Sequence, residues 1–475
     1  MSEAIETPGR ARSPRRHPGA PVRRPGGAGG PAGTSGPGAG ALGSVCLGFF
    51  MVLLDGSALN VALPDLSAEF GGSLATLEWT VNAYTVAMAA CLLGGGALAD
   101  KLGARRLFQA SLLLFVAASA ACAAGPTIGA LIAARVVQGV AAGGLLPASL
   151  AVIAHMYPES AARARAFTVW GGVSSLALVA GPVAGGALTA GVGWRAIFLV
   201  NVPIGLAAAV VCRRKVAPSP VRAVRLDVLG QLSTAALVGS GIGTLVQAGA
   251  LGWSAPLTLV LAVATLAAAI AFAAAERFAT HPVLPLDTFR RPGFTPALTV
   301  GALYQFGAYG AQFAISLHLQ RHWGRDALGA GLAFVPFALC WSLASFVLAR
   351  AVHRTGVRAL LTTGAATAAV GALVLLPLAA TPDWWLFTAG SCLLGLGAGL
   401  MGPSLPTLAL RSLPPDRSGL ASGSLNAFRQ IGGAVAIALF GPVLAATGAG
   451  GLRVCLALVA AGFLAVTWAV HRSVR

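Results

Sequence analysis

The sequence predicts an all-α polytopic membrane protein of about 14 transmembrane helices, arranged as two pseudo-symmetric six-helix bundles plus two extra central helices. Three observations predict it. The composition is oily: 56% of the 475 residues are hydrophobic, 10% are charged, and the mean hydropathy is +0.80. Apolar runs of about 18 to 25 residues recur along the chain, each long enough to cross a hydrocarbon core about 30 Å thick. A set of small-residue motifs also returns in the same order in the two halves. Soluble domains carry about a quarter charged residues, so a soluble enzyme, a disordered chain and a nucleic-acid-binding module are all excluded. The net charge of +18 marks no nucleic-acid surface, because the basic residues lie in short connectors between apolar runs. A lipid bilayer is the expected partner, and the inner (plasma) membrane the expected location.

Residues 1–40 form a Pro/Gly/Arg tail with too little apolar surface to fold, and are expected to be disordered on the cytoplasmic side, against the anionic leaflet. Residues 41–215 hold the N-terminal six-helix bundle, with runs centred near Val52, Met88, Leu113, Leu145, Leu178 and Gly205. Residues 226–275 hold the two extra helices, centred near Leu237 and Val263. Residues 296–470 hold the C-terminal bundle, with centres near Ala311, Ala338, Val370, Leu394, Ala434 and Ala461. Charge sets the orientation: about 26 basic residues fall on one side and four (Arg195, Arg321, Arg325 and Arg453) on the other, so both termini are expected in the cytoplasm. The seven cysteines lie in or at the edge of apolar runs without CxxC spacing and read as small buried hydrophobes. No metal site or cofactor is expected.

The repeat is specific in its order. Gly139, Gly143 and Pro147 in the fourth run match Gly395, Gly399 and Pro403 in the twelfth. Gly103 and Arg105 match Gly356 and Arg358, Pro158-Glu159 matches Pro415-Asp416, and Gly181-Pro182-Val183 matches Gly441-Pro442-Val443. Parallel halves about an axis along the membrane normal hold substrate between them.

Acidic residues sit in connectors or at helix ends, with Asp55 as the exception, inside the first run. A carboxylate there costs about 2.5–3.5 kcal/mol on insertion scales. A group so costly to bury charged, and able to take up or release a proton, suits proton transfer; the alternative is a structural carboxyl capped by hydroxyls such as that of Ser57. Arg135 is the second intramembrane charge. At 1.5 Å per residue, Asp55 lies about 13 Å and Arg135 about 12 Å from the outer end of their helices, so the two can pair. Arg429 is the third, either a functional charge or a cap for carbonyls.

Taken together, these segments resemble the major facilitator superfamily, in particular its 14-helix drug:proton antiporter branch, from about Leu42 onward. The resemblance is carried by Leu54-Asp55 through Asn60-Val61-Ala62-Leu63-Pro64 and by the loop from Gly96 to Arg106. It continues through Arg135 to Gly143, through Gly172, Gly181, Pro182, Gly185 and Gly186, and through Trp194-Arg195 with Asn201 to Gly205. It implies proton coupling at Asp55 and Arg135, and gating at Asp100, Arg105, Arg106, Gly181 and Pro182. In the loop, Asp100 is expected to pair with Arg105, Arg106 or a helix N-terminus and latch the cytoplasmic ends together. The second half departs from the pattern, with His353 at the place of Asp100 and Ser391 at that of Arg135, so coupling is expected in the first half.

The polar and aromatic residues Gln138, Tyr304, Gln305, Tyr309, Gln312, Asn426 and Gln430 are the candidates for a substrate cavity, with interhelical hydrogen bonding as the alternative for each. The resemblance thus implies a proton-coupled exporter of antibiotics or other small amphipathic compounds, working as a monomer by alternating access and driven by the proton gradient. Export of a cellular metabolite or siderophore by the same fold is the alternative. No catalytic residue is expected.

Overall fold

A computed structural model describes residues 39–71, 73–221, 227–279, 282, 284–349, 356–414, 417–447 and 450–473. The expectations for the tail and for Arg222, Arg225, Arg350, His353, Arg354, Pro415, Asp416 and Arg475 lie outside these residues. Among the described residues there is no strand. The first half comprises α1 (Ala39–Phe70), α2 (Leu74–Leu102), α3 (Ala104–Ala124), α4 (Ile128–Met156), α5 (Ser160–Val192), α6 (Arg195–Leu199) and α7 (Asn201–Lys215). Then come α8 (Val228–Leu251) and α9 (Pro256–Phe278). The second half comprises α10 (Phe294–Arg321), α11 (Ala327–Ala333), α12 (Val335–Ala349), α13 (Val357–Val374), α14 (Trp384–Met401), α15 (Ser404–Arg411), α16 (Ser418–Thr447) and α17 (Gly451–Ser473). We call the side at which α1 begins the tail side, and the opposite one the far side.

Twelve helical segments among the described residues are long and apolar enough to cross a membrane, with α6–α7, α11–α12 and α14–α15 each counted as one. Helices α5 and α10, with 33 and 28 residues, are outside that set but have the length to cross. The helices start and stop where local chemistry dictates. Thr127, Asp227, Asp326 and Asp383 cap their helices by accepting hydrogen bonds from first-turn N–H groups. Gly103, at φ 85°, ends α2 and begins α3 in a single residue, a turn that a side chain would strain. Pro403 lacks the N–H that would bond Gly399, which separates α14 from α15; the freed Gly399 carbonyl accepts from Ser345 Oγ at 3.1 Å.

Small residues set the helix contacts, as close packing in a bilayer requires. Gly139 and Gly143 of α4 lie on the backbone of α2 at Tyr84 and Met88. Gly395 and Gly399 of α14 lie in the same way on α12 at Phe337 and Trp341. The same glycine pair thus makes the same contact in each half. Between the halves, α2 runs along α16, with Leu92 beside Gly423, Met88 beside Gln430 and Glu78 beside Gly441. On the far side α5 meets α11: Gly186 lies on the Ala327 carbonyl and Gly331 on the Pro182 carbonyl. On the tail-side half of α5, Gly172 faces open space.

Helix α8 covers the seam between α2 and α16. Its Ile242 and Val246 pack with Val86, Ala434 and Ala438, and Gln231 donates to the Ala90 carbonyl. Helix α9 packs on α8 and presents most of its surface outward.

Candidate functional site

Five helices of the first half converge on Asp55. The α1 residue points inward with no solvent exposure, and Arg135 of α4, also fully buried, places Nη1 at 2.5 Å from Asp55 Oδ2. Asp55 Oδ1 accepts from Gln138 Nε2 at 3.0 Å and from Asn201 Nδ2 of α7 at 2.9 Å. Gln138 Nε2 also donates to Ser119 Oγ of α3 at 2.8 Å, while Gln138 Oε1 accepts from Arg135 Nη1 at 2.6 Å. Three N–H donors on one carboxylate fit its ionised form, since a buried charge must be paired and hydrogen-bonded. Ser57, the hydroxyl considered as a structural cap, donates instead to the Leu53 and Leu54 carbonyls.

Arg135 holds more than Asp55. Its Nε donates to the Thr80 carbonyl of α2 at 2.9 Å, and its guanidinium carbon sits 4.2 Å from the centre of the Tyr84 ring and 5.7 Å from that of Phe198. One guanidinium therefore ties α1, α2 and α4 together. It does so fully buried, where a hydrogen bond to a charged group is strongest.

Of the candidates for the substrate cavity, Gln138 belongs to this network and not to an open cavity. Its two amide atoms are used up by Asp55, Ser119 and Arg135. A second cluster forms in the other half. Arg429 of α16 donates from Nε and Nη2 to Gln305 Oε1, each at 3.2 Å, and from Nη1 to Asn426 Oδ1 at 3.4 Å. Its guanidinium lies 5.3 Å from the Tyr304 ring centre, and Tyr304 meets Trp341 edge to face. Tyr309 stands beside Gly433, Gln312 is buried on α10, and Gln430 reaches across to Met88 Sδ at 3.0 Å. Among the described residues, the hydrogen bonds of Arg429 go to side-chain amide oxygens and not to helix-end carbonyls, and it has no ion pair; it is a cation held by amides and an aromatic face.

The candidate gating residues divide in two. Gly181 and Pro182 lie in the far-side contact: Gly181 packs on Ser57 and the Leu54 carbonyl of α1, and Pro182 receives Gly331. Asp100 forms no ion pair with Arg105 or Arg106 here. Arg105 instead donates to the Arg213 carbonyl at the end of α7, at 2.6 Å, and Arg106 is exposed. The helix end offers a better partner, because its last carbonyls lack bonds of their own. Asp100 lines a tail-side cleft of about 1280 Å³ together with Leu98, Leu114, Pro147, Gln231 and Asn426.

Sequence reasoning missed four contributors. Asn201, Ser119 and Cys122 complete the Asp55 network; their signal was a polar atom in an apolar helix, at the depth of the ion pair. The fourth is Glu78. Acids outside the middle of a run are not all solvated: besides Asp55, Glu78 in α2 and Glu276 in α9 are buried. Glu78 sits near a helix end, where an acid is normally solvated, but α16 reaches past it. Trp194 and Arg195 also gain a role, clamping Glu69 at the far end of α1 at 2.7 Å and 2.6 Å.

Comparison with known proteins agrees with this architecture. The profile of the Major Facilitator Superfamily matches residues 45–227, 222–437 and 297–473. The Methylenomycin A resistance protein of Streptomyces coelicolor is 34% identical over 405 residues, covering 85% of each chain. The Cephamycin export protein CmcT of Amycolatopsis lactamdurans is 34% identical over 428 residues, covering 86% of this chain and 85% of its own. Among solved structures, the human organic anion transporter MFSD10 shares the fold, with a TM-score of 0.65 at 17% identity over 91% of this chain and 99% of that one. Helices arranged for close packing, a family profile that reaches from residue 45 to residue 473 and relatives aligned over most of their length converge on one assignment: this multi-pass membrane protein belongs to the Major Facilitator Superfamily of transporters.

Proposed function

We propose that the protein is a proton-coupled exporter of antibiotics or other small amphipathic organic compounds, exchanging them for inward-moving protons by alternating access. In this reading fourteen crossings form two six-helix halves around a central axis, α8 and α9 stand outside them, and both termini lie in the cytoplasm of a bacterial plasma membrane. The tail side is then cytoplasmic. Two relatives, a methylenomycin resistance protein and a cephamycin export protein, support this class of substrate.

The observation that carries the coupling is the Asp55–Arg135 pair, with 0% exposure on either side chain. A proton arriving on Asp55 Oδ2 takes the place of the Arg135 Nη1 bond. Arg135 then keeps the Thr80 carbonyl but loses α1, so protonation changes how α1 sits against α2 and α4. The Pro182–Gly331 contact supports a far side closed in this conformation, and the open space at Gly172 supports a tail side that is not.

Substrate is held by the α10–α16 cluster. Arg429, balanced by no acid among the described residues, favours neutral or anionic molecules rich in acceptor oxygens, with Tyr304 and Trp341 supplying the aromatic wall. The driving force is adequate. A proton crossing about 100 mV gains about 2.3 kcal/mol and one pH unit adds about 1.4, which sustains a gradient of about 500-fold for a neutral molecule. For a monocation only the pH component remains, about tenfold per unit.

The test is survival of a drug-sensitive host carrying the gene, against a panel of antibiotics, with and without an uncoupler. Protection that the uncoupler abolishes is expected for neutral or anionic compounds. Protection that persists without a proton gradient contradicts the reading.

A further inference from the structure

Glu78 is a carboxylic acid inside the membrane-spanning bundle that the proposed coupling does not use. It is 1% exposed, and neither carboxyl oxygen has a hydrogen-bond partner among the described residues. Its carboxyl is pressed against the backbone of α16 at Gly441, where any side chain larger than hydrogen would overlap Oε1. One turn along α2, Asn82 is fully buried, and both of its amide atoms also lack partners. The next residue of α16, Pro442, removes a helix N–H and so loosens the helix at this contact.

Among the described residues, no neighbouring group offsets a charge on Glu78. Residues 434–447 of α16 and 239–251 of α8, which pack over this face of α2, carry no ionisable side chain. On the α1 and α4 side, the ionisable groups are Asp55 and Arg135, beside Tyr84 of α2 itself, and they are engaged with one another or with the Thr80 and Val52 carbonyls. Packing does not require an acid either. At the other seam between the halves, Gly331 rests on Pro182 and Val183, in the segment whose counterpart carries Gly441, on which Glu78 rests. A glycine suffices there.

We propose that Glu78 is a proton-binding site loaded from the far side, and that the α2–α16 seam closes there only over the neutral acid. Each closure then takes one proton from far-side water onto a Glu78 carboxyl oxygen. Each reopening returns it as the carboxylate is hydrated, and no other bond changes. The site makes closure of the outer gate favourable in proportion to external acidity, up to tenfold per pH unit for one proton. It rests on the alternating-access reading but not on Asp55.

Hydrogen–deuterium exchange of the full-length protein in lipid nanodiscs, corrected for the intrinsic pH dependence of amide exchange, tests it. In the wild type, residues 74–86 and 436–447 are expected to lose protection as the pH rises, by up to tenfold per unit. Glu78→Gln is expected to keep its protection at every pH, while Glu78→Asp restores the pH dependence and Asp55→Asn retains it. Retention of the pH dependence in Glu78→Gln, or its loss in Asp55→Asn alone, overturns the proposal. The wild type suffices by itself should Glu78→Gln fail to fold: protection that does not change with pH overturns the proposal too. A failed coupling at Asp55 is a separate result, because it is read in transport and not in the exchange of α2.

Discussion

Arg135 and Asp55 meet at 2.5 Å with no solvent on either side chain, and the same guanidinium bonds the Thr80 carbonyl of the second helix. A pair buried this deeply is costly to form and costlier to break by halves. That asymmetry makes its energetics testable.

Arg135→Ala is expected to destabilise the protein by about 3–5 kcal/mol, because it strands the Asp55 charge. Asp55→Asn/Arg135→Ala should recover a large part of that loss, since no unpaired charge remains. Thermal unfolding of the purified single and double variants reads this coupling. Equal losses that simply add would show that the two side chains act independently.

At the far-side seam, Gly331 lies on the Pro182 carbonyl with no room for a methyl group. Gly331→Val is therefore expected to hold α5 and α11 apart, leaving a folded protein that binds substrate but does not complete the cycle. Far-side accessibility of an introduced cysteine at Ala330, which is fully buried in α11 next to Gly331, should rise in this variant. Unchanged accessibility with normal transport would remove the seam from the gate.

Arg429 bonds Gln305 and Asn426 and faces Tyr304. Arg429→Gln is expected to raise KM for anionic substrates about tenfold or more while leaving cationic ones little changed, the loss of a charge-assisted bond being worth about 1.5–3 kcal/mol. Competition assays with a matched acid and ester of one compound check this.

The Glu69–Arg195 bridge offers a contrast. Its side chains are 39% and 42% exposed, so Glu69→Gln is expected to cost less than about 1 kcal/mol in unfolding despite the short contacts.

The depth at which Asp55 and Arg135 meet could be read from the sequence, because helix rise alone places both near the same level. The repeated Gly139/Gly143 and Gly395/Gly399 pairs were also legible, since only a small residue lets one helix lie on another's backbone. What the sequence hides is lateral. Nothing in the spacing of Gln138 or of Asn201 tells whether either faces a cavity or the ion pair. The burial of Glu78 is not legible for the same reason, because sequence shows where a helix starts but not how far its neighbour extends beyond that start. The pairing of Asp100 went astray for a similar reason, as the end of α7 brings a free carbonyl to Arg105.

Proton flux through Asp55 is most directly tested in everted membrane vesicles, with export followed as drug uptake on energisation and binding measured separately on the same membranes. Asp55→Asn should show drug bound with near-normal affinity and no accumulation above the de-energised control. Accumulation by that variant at the wild-type rate and to the wild-type level would contradict a coupling role for the carboxyl group.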